Sequence, residues 1–177
     1  PVACLGDRVY VPLHGDLKGL VCLHDDRQSR DGPVELWRAD SLYGVWVSPA
    51  VTTEDVYFTD GRPGDDHRVF QCLDAQTGAR RWKLPVASDA SGEFLLSRDG
   101  GLVMDQVDGL AYFDSASEVV WRTSVGRVRG TPVMEQATII VATERPPAVA
   151  VLDRLSGKVL WQVLLKDAPA TGPVLYK

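Results

Sequence analysis

With 177 residues, 45% of them hydrophobic, the chain can bury a substantial core, and its formal charge of −5 is spread along the sequence rather than gathered in blocks. The absence of a basic face argues against a nucleic-acid binder, and no apolar run approaches the ~20 residues of a membrane-crossing helix, so no membrane insertion is expected. Three scattered cysteines, Cys4, Cys22 and Cys72, lack the paired short spacings of a zinc site or disulfide framework and read as free thiols. The start, Pro1 to Tyr10, shows neither an initiator Met nor the charged-then-apolar order of a leader, so the chain reads as a mature or excised product.

Taken in chain order, the same four landmarks recur. The first repeat carries an apolar trio, Val9-Tyr10-Val11, a second run, Leu20 to His24, an insertion around Asp26 to Gly32, then Trp37 and Ser48-Pro49. The second has Val56-Tyr57-Phe58, a long polar loop from Asp60 to His67, the run Val69 to Asp74, a turn Asp74-Ala75-Gln76-Thr77-Gly78 and Trp82, with Gly92-Glu93 in place of the proline segment. The third has Leu102-Val103-Met104, Leu110 to Asp114, Trp121 and Thr131-Pro132. The fourth has Ile139-Ile140-Val141, Val149 to Asp153, the turn Asp153-Arg154-Leu155-Ser156-Gly157, Trp161 and Gly172-Pro173.

The repeat tryptophans lie 45, 39 and 40 residues apart, the size of a four-stranded propeller blade. The trios and runs are rich in β-branched and aromatic residues and bounded by Gly, Asp and Pro, as strands are. Asp at a turn entrance accepts backbone N–H groups and Gly supplies the positive φ that closes the hairpin. A proline suits the end of an inner strand or a bulge, where no ladder N–H is needed. No segment sustains a helical period. A β-sandwich would not explain the repeated four-part order with one Trp per unit. The expected fold is therefore all-β, a propeller of four-stranded antiparallel blades over about 1–44, 45–89, 90–126 and 127–168, with a further inner strand starting in 169–177. Pro1-Val2 and Gly172-Pro173-Val174 align with the same inner strand, so the four blades are expected to form an arc of a seven- or eight-bladed ring. Open edges would then call for a protein partner or a second copy completing the ring.

The stretch Cys72 to Trp82, with Asp74, Thr77, Gly78 and Trp82 at Asp-x-x-Thr-Gly-x-x-x-Trp spacing, resembles the tryptophan-docking repeat of pyrroloquinoline-quinone type propellers. Val151 to Trp161 is a second copy with Ser156 for Thr; the third, with Asp114 and Trp121, is one residue short and lacks the Gly, and the first carries His24 at the Asp position. The resemblance implies that Trp37, Trp82, Trp121 and Trp161 pack over the turn of the adjacent blade, with Asp74, Gly78, Asp114, Asp153 and Gly157 as structural repeat residues. It also sets an expectation of about 3–5 kcal/mol for Trp161→Ala as a large-to-small core change. Family members that are dehydrogenases add calcium, a catalytic Asp and often a disulfide between adjacent cysteines, and no such set is matched here. The resemblance thus points to the non-enzymatic branch, exemplified by the lipoprotein that assists outer-membrane barrel assembly and by kinase-linked sensor domains, with a periplasmic or cell-surface address. No catalytic, cofactor-binding or metal residue is assigned, and no cofactor is expected. The rival is a partial quinoprotein dehydrogenase whose catalytic residues lie outside the chain.

A candidate binding surface remains. Trp46, outside the repeat pattern, and Arg129 each precede the Pro landmark by three residues, and Arg127 and Arg129 alternate on one face of a strand. Together they suggest a channel-mouth pocket for an anionic or aromatic ligand. The insertion bearing Asp65, Asp66 and His67 is a second candidate, because loops added on one face of a repeat protein are common binding devices. His14, His24 and His67 have no nucleophile motif beside them.

Overall fold

The computed structural model of the chain describes residues 2–25, 32–62, 64–86, 94–97, 101–114 and 118–174. Every regular element among the described residues is a β-strand, as the expected all-β fold requires. Contacts divide the chain into two compact units, Pro1–Val86 and Ala87–Lys177, each holding two sheets.

In the first unit, β1 (Ala3–Leu5), β2 (Arg8–Leu13), β3 (Gly19–His24) and β4 (Val34–Asp40) form one antiparallel meander, and β5 (Ala50–Val51), β6 (Asp55–Asp60), β7 (Val69–Asp74) and β8 (Arg80–Pro85) form the next. In the second unit, β9 (Phe94–Leu96), β10 (Leu102–Gln106), β11 (Gly109–Phe113) and β12 (Val119–Ser124) form a third. The fourth sheet contains β13 (Arg127–Val128), β14 (Val133–Glu135), β15 (Thr138–Arg145), β16 (Pro147–Asp153) and β17 (Val159–Leu164). It counts five strands rather than four because its inner strand is broken: β13 and β14 pair with opposite ends of β15. The second sheet breaks the same way. Val45 bridges Asp60, the chain leaves the ladder over 46–49, and Ala50-Val51 return to pair with Tyr57 and Val56. Pro49 and Pro132 end these two interruptions, where a residue without N–H costs no ladder bond. The Gly92-Glu93 counterpart and most of the first-repeat insertion, 26–31, lie outside the described residues.

The apolar trios sit in β2, β6, β10 and β15, the second runs in β3, β7, β11 and β16, and the repeat tryptophans in β4, β8, β12 and β17. One register detail recurs in all four sheets. The ladder shifts immediately after the residue opposite the Trp, at Cys22/Leu23, Cys72/Leu73, Tyr112/Phe113 and Val151/Leu152. Such a bulge strengthens the local twist and re-aims the neighbouring side chains. In the first two sheets the row through that point reads Tyr–Cys–Trp, with Tyr10 and Tyr57 about 6 Å by ring centroid from Trp37 and Trp82.

Two tryptophans show what holds paired sheets together. The Trp37 indole N–H donates to the Ala75 carbonyl at 3.1 Å, and that of Trp121 to the Arg154 carbonyl at 2.9 Å. Both rings lie flat on a turn glycine: a Cβ added at Gly78 would sit 2.7 Å from Trp37, and one at Gly157 2.5 Å from Trp121. Gly78 and Gly157 also have φ of 71° and 69°, in the left-handed region that glycine enters without a Cβ penalty. Each turn is fixed by its Asp, since Asp74 Oδ1 accepts the N–H groups of Gln76 and Thr77, and Asp153 Oδ1 that of Ser156. Asp114 accepts the Glu118 N–H in the same way. Trp37 and Trp121 are 8% exposed and lie in the two apolar clusters that form the cores of the units.

Trp161 departs from this pattern. It is 50% exposed, and among the described residues its indole N–H has no partner, so the 3–5 kcal/mol expected for Trp161→Ala is too large for this chain. The cost of removing a ring follows the contacts it has, and here no turn covers it. The described part of the expected further strand, 169–174, forms no ladder, because a strand exists only against a partner. It runs beside the broken inner strand instead, with Gly172 against Gly130 and Thr131.

Candidate functional site

The β2–β3 turn, the β4–β5 loop and the β6–β7 loop converge at one end of the first unit. A buried carboxylate arranges them. Asp60, 5% exposed at the end of β6, accepts the Ser41 hydroxyl at 2.5 Å, the Tyr43 N–H at 3.2 Å and the Gln71 side-chain amide at 3.2 Å. Ser41 Oγ in turn accepts the Gly44 N–H at 2.6 Å, so a residue of one sheet holds the loop leading out of the other. Gly44, at φ 89°, lets that loop close on the β2–β3 turn: a Cβ there would lie 3.3 Å from His14. A buried carboxylate is tolerated only when its lone pairs are met, and here three donors meet them.

Held this way, Trp46 stacks on His14, with centroids 4.6 Å apart and planes 13° from parallel. Its indole N–H donates to the Tyr43 carbonyl at 3.3 Å, and the Arg62 guanidinium lies 5.8 Å from its ring centroid, within cation–π range. Tyr43 stacks with His67 at 6.1 Å. Trp46 is 40% exposed, and Leu42 beside it is 76% exposed, with Leu17 exposed on the neighbouring turn. An open groove adjoins this cluster, lined by Asp16, Leu17, Lys18, Arg38, Asp40 and Ser41, with charges of both signs.

The sequence candidates therefore separate into three groups. Trp46 and His67 meet through Tyr43 in one exposed cluster. Asp65 and Asp66 are both exposed, and the Asp65 carboxylate accepts the Arg62 N–H at 2.9 Å within its own loop; Pro63 of the same loop lies outside the described residues. Arg127 and Arg129 belong to the second unit, where both face Glu144, at 3.0 and 3.6 Å. Their charge is thus partly met within the sheet, which weakens the reading of an anion pocket. His14 and Arg62 escape a reading of the sequence because they are distant from Trp46 and only loop convergence unites them, while Tyr43, in the same loop as Trp46, belongs to no motif. His24, at the Asp position of the first repeat, meets Asp7 at 3.1 Å.

The electrostatics mark structure rather than reactivity. Burial, then the Asp55 carboxylate 3.4 Å away, pushes the Cys72 thiol up to about 12, and burial likewise raises Cys22. Neither is a nucleophile near neutral pH. Arg81, at 2.8 Å, and the turn hydrogen bonds of Thr77 hold Asp74 down at about 2. Among the described residues no three His, Cys, Asp or Glu side chains gather as a metal site, so no step through a calcium–quinone centre can be placed on them.

A profile of the family described as outer membrane protein assembly factor BamB matches residues 65–175. Among solved structures, the chain superimposes on BamB from Moraxella catarrhalis with a TM-score of 0.67 at 17% identity, covering 95% of this chain and 52% of that one. It superimposes on apo AztD from Citrobacter koseri with a TM-score of 0.67 at 16% identity, covering 97% and 48%. A europium-containing methanol dehydrogenase matches with a TM-score of 0.64 at 12% identity, covering 93% of this chain and 41% of that one. At such identities these likenesses speak to fold, and the chain spans about half the length of the first two structures. No curated protein matches in sequence. The profile covers well over half of the chain, and the tryptophan-docked sheets agree with it: the chain belongs to the BamB-like family of pyrroloquinoline-quinone type β-propellers.

Proposed function

We propose that this chain is a non-catalytic, protein-binding part of a propeller in the cell envelope, acting in an assembly process such as that of outer-membrane proteins. The observation that carries this reading is the exposed cluster of Trp46, Tyr43, His14 and Leu42 on loops pinned by Asp60, in a chain of the BamB family. Exposed aromatic and aliphatic residues rimmed by charge are what a protein interface uses: the rings supply area at low entropy cost, and the charged rim supplies register. A buried, hydrogen-bonded anchor beneath the loops keeps the rings in place before a partner arrives, which lowers the ordering cost of binding.

A photo-crosslinking side chain at Leu42 or Trp46 of the protein in its native cell, with one at the exposed Val120 as control, tests this. The expected result is a discrete adduct with an outer-membrane assembly component from the loop positions only. Adducts absent, or equal at the control, would remove the proposal. The methanol dehydrogenase likeness keeps an enzymatic reading open to a direct check. The chain supplied with pyrroloquinoline quinone and calcium is expected to reduce no dye with alcohols or sugars, and measurable turnover would favour the enzyme.

A further inference from the structure

β17 is the outer strand of its sheet, paired along one edge with β16 and, among the described residues, along the other with nothing. An open edge is a row of unpaired N–H and C=O groups, and charged side chains are a common device that keeps it from pairing with another chain. The other three outer strands carry such guards: Arg38 and Asp40 in β4, Arg81 and Lys83 in β8, and Arg122 in β12. β17 has none. From Val159 to Leu165 the chain reads Val-Leu-Trp-Gln-Val-Leu-Leu, with no charge, Gly or Pro. Val163 is 54% and Leu164 71% exposed. An uncharged segment of this length, rich in strand formers, is the kind that pairs readily across an edge.

The ladder decides which groups face outward. Leu165 donates its N–H to the Pro147 carbonyl at 2.8 Å, and Val163, of the same parity, lies opposite Val149. In an antiparallel pair, bonded and non-bonded positions alternate, so Gln162 and Leu164 turn their N–H and C=O groups to the open edge. These groups lie in the plane of the sheet, whereas side chains stand perpendicular to it. A neighbour seated on the Trp161 ring therefore leaves them open.

Charge selects the occupant. Lys158 and Lys166, both exposed, flank the apolar segment, one at each end. A second copy laid antiparallel in full overlap, centred on Gln162, sets Lys158 opposite Lys166 at both ends, and like charges directly opposite oppose pairing. We propose that the open edge of β17 takes an extended segment of another protein as an added strand, apolar over about seven residues and bearing carboxylates at its ends to meet Lys158 and Lys166.

The test uses the 177-residue chain and a synthetic peptide of alternating valine and threonine, as long as β17 and ended by glutamates. At saturating peptide, the Gln162 and Leu164 amides are expected to gain about tenfold or more protection from hydrogen exchange. A peptide N-methylated at every other residue, which cannot complete the ladder, is expected to give no protection, and a lysine-ended one to bind about fivefold more weakly. Leu164→Lys places a charge on the edge at an exposed position. It is expected to abolish the protection of Gln162 and to leave the urea midpoint unchanged. Unprotected amides with the glutamate-ended peptide overturn the proposal, as does equal binding of the lysine-ended or N-methylated one. So does light scattering that reveals a dimer abolished by Leu164→Lys, because a second copy would then be the occupant. None of these outcomes depends on Trp46 or its loops.

Discussion

Trp121 and Trp161 are the same residue type at the same register, yet one is 8% and the other 50% exposed. Trp121→Ala is expected to cost about 3–5 kcal/mol, because it empties a seat and orphans the Arg154 carbonyl. Trp161→Ala should cost below about 2 kcal/mol, half of the ring being in water already. Urea unfolding of the two variants gives the order, and equal costs would contradict the docking scheme. Asp74 offers a second test. Its carboxyl is held at about 2, first by Arg81, against an unfolded value near 4. A depressed carboxyl stabilises the fold above the unfolded value and ceases to as pH falls through the folded one. The stability difference between the native chain and Asp74→Asn is therefore expected to be constant above about pH 5 and to shrink between about pH 4 and 2. Because Asp74 is on the surface, the difference should also weaken with salt.

Between residues and the whole stand the loops that Asp60 ties together. Asp60→Ala removes the acceptor of three donors, two from the β4–β5 loop and one from β7. It is expected to cost about 2–3 kcal/mol, since the buried Gln71 amide and the Ser41 hydroxyl lose their acceptor. The same change should loosen Trp46 from His14, read as a loss of cross-relaxation between their rings, while Trp46→Ala itself costs less stability. If Asp60→Ala left that stack intact, the anchor would lie elsewhere. The bulge opposite each Trp acts at the same scale. One extra residue per outer strand, Leu36, Arg81, Val120 or Leu160, is set out of register.

For the molecule as a whole, the all-β fold, with strands as the only regular elements among the described residues, predicts a far-ultraviolet circular dichroism spectrum without a helical double minimum, and a helical signal would contradict it. Native thiol titration should report Cys4 rapidly and Cys22 and Cys72 only after unfolding, because the last two lie at the centres of β3 and β7. Much of this fold was legible from spacing alone. A blade must alternate strand and turn with a constant length, and a Trp every 40 residues or so is the trace that this leaves in a sequence. Local chemistry also announced the turns, since Asp and Gly act on backbone atoms a few residues away. What the tertiary structure alone decided is which members of a repeated class are used. Trp37 and Trp121 are buried and Trp161 is not, because burial depends on a neighbour that the residue itself does not encode. His14 reaches Trp46 through converging loops, and Glu144 draws in both Arg127 and Arg129 across a sheet, contacts between residues whose separation in sequence carries no period.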